Sequence, residues 1–284
     1  MNDDNSILRR CTWPWQITTV VIVAGVVLGG CGSGDDGKAA GPKTSAPEKS
    51  AAQSGPPEAT ASASTGGKNA SSLAFQPDPA KVPRTKDRAE ALVAAVALKP
   101  QAWGAQFRAQ QPAASALGTV AELDEQCRWE RRGLPRGVLA SLSRYSEIPA
   151  AGGKGEVKVS AAVTVHTSVR EADERLASTL EEPLRCRQQQ VRSDEWIAGL
   201  MSTATPYGQG NNTYADDQVV EMGKYLTSGG TQTYYWYVTR LGTVTLAVSV
   251  KGAKGYSDNE LGTFASRANA TMLNRVEFEL GGES

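Results

Sequence analysis

Residues 218–250 read QVVEMGKYLT, SGG, TQTYYWYVTR, LG and TVTLAVSV in succession, three β-rich runs separated by two short breaks. The runs 218–227, 231–240 and 243–250 are crowded with Val, Thr, Tyr and Trp, side chains that pack well on a pleated surface. Ser228-Gly229-Gly230 and Leu241-Gly242 have room only for hairpin turns. Strands joined by such turns are antiparallel. Downstream, Ser257-Asp258-Asn259-Glu260 is a capping box before a helix carrying Leu261, Phe264, Ala265, Ala268 and Met272 on one face. Upstream, residues 156–167 alternate strictly: Val157, Val159, Ala161, Val163 and Val165 against Lys158, Ser160, Ala162, Thr164 and His166. Ser168-Val169-Arg170-Glu171 opens a second helix with Ala172, Leu176 and Leu180 on one stripe, and Pro183 is placed beyond its end.

Further out the signals weaken. Residues 135–148 offer a less regular strand, and another is allowed near Cys127. Thr85 caps a helix with Ala89, Leu92, Val93, Val96 and Ala97 at helical spacing, stopped by Lys99-Pro100. The order α-β-β-α-β-β-β-α predicts an α+β fold, an antiparallel sheet backed by helices, as a single domain over residues 79–284.

The first third of the chain is built differently. Arg9 and Arg10 precede an apolar run from Ile17 to Leu28, too short for an ordinary membrane span but suited to a signal-peptide core. It ends in Leu28-Gly29-Gly30-Cys31, and small residues before a cysteine resemble the lipobox of bacterial lipoproteins. Residues 1–31 are therefore expected to be a lipoprotein signal peptide, with Cys31 lipidated and the chain anchored on the outer, extracytoplasmic face of the cell membrane. Signal cleavage without lipid and an uncleaved anchor over residues 13–28 stand as alternatives. Residues 32–78 are dominated by Gly, Ser, Ala, Pro and Thr, too poor in apolar surface to offset the entropy of ordering, and read as a disordered tether. A coil of that length reaches roughly 35–40 Å.

The 284 residues carry 30 Lys+Arg against 30 Asp+Glu, with pI ≈ 6.6. That balance argues against a nucleic-acid partner. A single histidine, His166, excludes a multi-histidine metal site, and no cofactor is implied. His166 lies on the strand face opposite the valines, toward solvent or an edge, and no Gly-x-Ser-x-Gly accompanies it. Gly152-Gly153-Lys154-Gly155 lacks P-loop spacing and reads as a turn between strands. With Cys11 ahead of the apolar run and Cys31 assigned to lipid, Cys127 and Cys186 remain. In an exported domain they are expected to form a disulfide closing 59 residues, for which loop entropy suggests about 4 kcal/mol.

Binding candidates come from two clusters. Arg128, Arg131, Arg132 and Arg136 follow Cys127, while Arg185, Arg187 and Arg192 surround Cys186. Guanidinium forks suit phosphate or carboxylate, so an anionic envelope polymer or lipid headgroup is one reading. Glu122, Asp124, Glu125, Glu130, Glu181, Glu182, Asp194 and Glu195 are interleaved with them, and a self-neutralising solvated face is the plainer one. Tyr234-Tyr235-Trp236-Tyr237 alternates across a strand, so one pair packs under helices and the other is free to form a platform. Asn211, Asn212, Asp216 and Asp217 are an oxygen-rich loop with no EF-hand spacing.

Gln101-Ala102-Trp103-Gly104, Cys127-Arg128-Trp129 and the second cysteine Cys186, behind a lipobox and an Ala/Gly/Ser/Pro stalk, resemble the small extracytoplasmic domains of actinobacterial lipoproteins. More distantly they resemble the PknH-like extracellular sensor domain. That resemblance implies ligand or signal binding outside the cell, with no catalytic residues to carry over; the chain is accordingly read as a sensor or binding module for a ligand or protein partner. The binding candidates are Arg128, Arg131, Arg132, Arg187, Tyr235, Trp236 and Tyr237. The alternative is a carboxylate-based envelope hydrolase using Asp216, Asp217 and Glu221 without histidine.

Overall fold

The computed structural model describes residues 75–281, so Cys31, the signal segment and nearly all of the tether lie outside the described residues. In chain order the elements are α1 (Lys86–Val96), α2 (Pro100–Trp103), β1 (Arg108–Ala114), β2 (Thr119–Leu123), β3 (Trp129–Gly133), β4 (Val138–Ile148) and β5 (Val157–His166). They continue with α3 (Val169–Arg185), β6 (Gln188–Arg192), β7 (Glu195–Pro206), β8 (Asp217–Thr227), β9 (Gly230–Leu241), β10 (Val244–Lys251) and α4 (Asp258–Leu280). Eight strands make one antiparallel sheet in the order β1-β4-β5-β10-β9-β8-β7-β6, curled into a half-barrel; β2 and β3 form a separate hairpin. The α+β expectation holds, with helices against an antiparallel sheet and one disulfide between Cys127 and Cys186.

The β8–β9–β10 meander is the one the hairpin turns demanded. Gly242 sits at φ 58°, a conformation that glycine adopts at no steric cost, and lets the chain reverse between β9 and β10. The valine face of β5, with Val244, Leu246, Val248 and Val250 of β10, forms the floor of the main core. Helix α1 supplies Leu92, Val93 and Val96 to it, and α4 supplies Leu261, Ala265, Met272, Leu273 and Val276. Both helices begin where expected: Thr85 accepts from Arg88 N–H, and Ser257 with Glu260 makes a full capping box.

Three features depart from the sequence reading. Helices cover both faces of the sheet, because α3 packs across β5, β10, β9, β8 and β7 on the side opposite α1 and α4. Helix α3 also runs through Pro183 to Arg185: Cys186, its C-cap, donates its N–H to Glu182 and is covalently held by Cys127. Third, Phe75, inside the segment assigned to the tether by composition, is buried in the main core.

On the α3 side the hairpin closes the half-barrel. Strand β2 packs against β4, and β3 packs against β6 at the far edge of the sheet. The Cys127–Cys186 bond joins the hairpin turn to the end of α3. Arg185 donates to the carbonyls of Leu123 and Asp124, Gln190 N–H donates to Cys127 O, and Trp129 Nε1 donates to Gln189 Oε1 at 2.9 Å. Among the described residues, no helix is long and apolar enough to cross a membrane.

Candidate functional site

The strand register dictates what lines the concave face. Reading across β4, β5, β10 and β9, four layers repeat: Glu147–Lys158–Lys251–Tyr234, Tyr145–Ser160–Ser249–Trp236, Ser143–Ala162–Ala247–Val238 and Ser141–Thr164–Thr245–Arg240. Six residues of extended chain separate the outer layers, about 20 Å. The middle of this field holds only Ser and Ala on β5 and β10. Large side chains there would fill the space beneath the hairpin; small ones leave a cavity of about 380 Å³. Val120, Trp129, Glu130 and Arg131 of the hairpin roof it, Arg175 and Thr179 of α3 wall it, and Val191, Arg192 and Ile197 of β6 and β7 close its far side.

One wall is apolar and aromatic. Trp129 and Trp236 meet edge to face, centroids 5.1 Å apart, beside Val191, Ile197 and Val238. The opposite floor is a hydroxyl field. Ser141 bonds Thr164 at 2.9 Å and Ser160 bonds Ser249 at 2.6 Å. Each such pair uses one proton, leaving the other hydroxyl hydrogen and several lone pairs for an occupant.

Charge is concentrated at the first layer. Lys158 and Lys251 face each other directly across the β5–β10 ladder. Both reach Glu195 at the start of β7, at 2.8 and 3.0 Å, and Arg192 reaches it at 3.3 Å. Burial alone would raise the Glu195 carboxyl, but Lys251, Lys158 and Arg192 together pull it down to about 2. Burial lowers Lys251 against the pull of the same carboxylate.

The residues singled out in the sequence scatter around this cavity. Trp236 and Arg131 line it; Arg131 donates to Ser143 Oγ on β4 and to Thr119 O and Oγ1 on β2. Arg128 and Arg132 are outside, paired with Asp124 and Glu130 and with Glu130 and Glu122 respectively, while Arg187 is on the exposed surface. Tyr235 and Tyr237 lie on the other face of β9, in the core beneath α4, and Tyr235 donates to Asp258 O. His166 is buried instead of facing solvent, because α3 covers that face; its Nε2 is 3.0 Å from Thr245 Oγ1. Burial, with Arg175 adding to it, lowers its pKa to about 4.

The three carboxylates of the hydrolase alternative do not share a cleft. Asp216 and Asp217 both hold Arg240, and Asp216 also accepts from Gly242 N–H. Glu221 is fully buried and accepts from Ser202 Oγ at 2.6 Å. Asn212 pins the 206–217 loop through Thr205 O, Ala215 O and Ala215 N–H. Among the described residues, no group of three or more His, Cys, Asp or Glu side chains is placed to hold a metal ion.

Sequence reasoning missed Lys158, Lys251, Arg192 and Glu195 as a group, and the Ser/Ala/Thr field. A signal existed. The side of β5 read as solvent-facing carries Ser, Ala and Thr after its one lysine, and β10 repeats that with Thr245, Ala247 and Ser249. Small side chains on adjacent strands mark a face that something else approaches.

No protein-family model matches the chain, and no curated protein matches it. Among solved structures the chain is similar to the extracellular domain of PknH from Mycobacterium tuberculosis, at 11% identity and a TM-score of 0.38, covering 70% of this chain and 99% of that one.

Proposed function

We propose that the chain is a lipid-anchored, extracytoplasmic binding module that holds a small ligand between the concave face of its sheet and the β2–β3 hairpin, without catalysis. The cavity of about 380 Å³ carries this reading. It combines an apolar aromatic wall with a few convergent polar groups, the composition of a small-molecule site. The hairpin that roofs it is fixed by a disulfide and by hydrogen bonds at both ends, so the space persists without an occupant.

The test uses N-phenyl-1-naphthylamine, a neutral probe that fluoresces in apolar surroundings. The full chain binds one equivalent, and Ala247→Leu, which places a larger side chain in the cavity, abolishes that binding with the melting temperature preserved. Equal binding by both proteins would put the probe elsewhere and overturn the reading. The anchor has its own test. Cys31→Ala releases the protein from membranes if Cys31 carries the lipid, and unchanged retention contradicts it.

A further inference from the structure

Resting on that reading of the cavity, we infer that its ligand is an amphiphilic anion: an acidic headgroup, carboxylate or phosphate, seated at Lys158, Lys251 and Arg192, with an apolar body against Trp129 and Trp236. Three cations converge there on one buried carboxylate, Glu195. The other acids nearby are committed or outnumbered. Glu156 reaches only Lys158, at 3.5 Å; Glu147, beside Lys158 in register, is held by Arg108; Glu130 is held by Arg128 and Arg132. The Arg175–Glu182 pair on α3 is neutral by itself.

Two lysines placed directly opposite on adjacent strands repel one another, and Glu195 with Glu156 offsets two of the three cations at most, leaving a surplus of one positive charge. Donors also remain. Lys251 has three N–H groups and places one on Glu195; Arg192 has five and places one there. Both line the cavity, as does Lys158. Trp236 lies one layer from Lys251, about 7 Å along the strand, so a short molecule spans both subsites. A charge surplus beside an apolar wall selects a ligand that is anionic at one end only.

The full chain is titrated calorimetrically with decanoate, decyl phosphate, decanol and decylammonium. The two anions are expected to bind at least tenfold tighter than decanol, with decylammonium weakest. Whichever anion binds tighter identifies the headgroup. Arg192→Gln, at a half-exposed side chain whose loss leaves the fold intact, reduces the anion-to-decanol ratio several-fold, and so does about 0.5 M salt. Equal affinity for all four overturns the anion inference and leaves the cavity reading standing; tighter decylammonium overturns it outright. No binding by any of the four overturns both.

Discussion

Glu195 is the residue on which the charged end of the cavity depends. Replacing it by Gln leaves Lys158, Lys251 and Arg192 facing one another with only Glu156, at the rim against Lys158, to offset them. Glu195→Gln is expected to cost about 2–4 kcal/mol, read as a lower urea midpoint at pH 7. The pH dependence has a definite sign. The carboxyl lies near 2 in the folded chain and at 4.5 ordinarily, so its contribution is complete above about 4.5 and is lost as pH falls toward about 2. Glu221 behaves in the opposite way. Burial pushes it up to about 7, against the hydrogen bond from Ser202 and with Glu182 adding to the rise. Its contribution is complete below about 4.5 and is lost as pH rises through about 7. Glu221→Gln therefore raises stability at pH 8 by about 2 kcal/mol relative to wild type and changes little at pH 4.5; urea melts at the two pH values check it. At this scale the sequence reading reached the Cys127–Cys186 pair; it left open which aromatics of Tyr234–Tyr237 pack under helices. It could not reach Glu195, because that carboxylate acquires its role only when the start of β5 and the end of β10 meet the start of β7.

Among the elements, the β2–β3 hairpin is the one that makes a cavity out of a curved sheet. Its turn is organised by Asp124, which accepts from Gln126 and Arg128 N–H, and is tied to α3 by the disulfide. The double variant Cys127→Ser/Cys186→Ser is expected to lose about 2–4 kcal/mol of stability. It should also raise amide hydrogen exchange in β2 and β3 more than in β8–β10; uniform exchange throughout would contradict the hairpin's role as a separately held roof. The meander and the capped helices α1, α3 and α4 were legible because alternation, turn residues and caps are local. Strands β1, β6 and β7 were not. β1 contains Pro112, β6 begins with three glutamines, and the outer half of β7 is exposed. β1 and β6 are the two edges of the sheet and β7 is next to one of them; strands there are held by backbone pairing with a neighbour, which leaves little side-chain periodicity to read.

For the whole molecule, the decisive fact is that the sheet is covered on both faces by different means. Against the valine face, α1 and α4 make a dry core; over the other face, α3 and the hairpin leave a gap floored by Ser and Ala. An alternating strand predicts one buried and one solvated face, and here the second face is partly roofed without being filled. That distinction depends on the curl of eight strands and the placement of a hairpin from far away in the chain, which no local pattern records. This roofed, partly open space is the proposed ligand site. Native mass spectrometry of the full chain, purified from its own host under gentle conditions, tests it most directly when wild type is compared with Ala162→Leu, which fills the floor of the cavity. One reproducible non-covalent mass is expected on the wild-type protein and none on the variant. Identical spectra for the two proteins would contradict it.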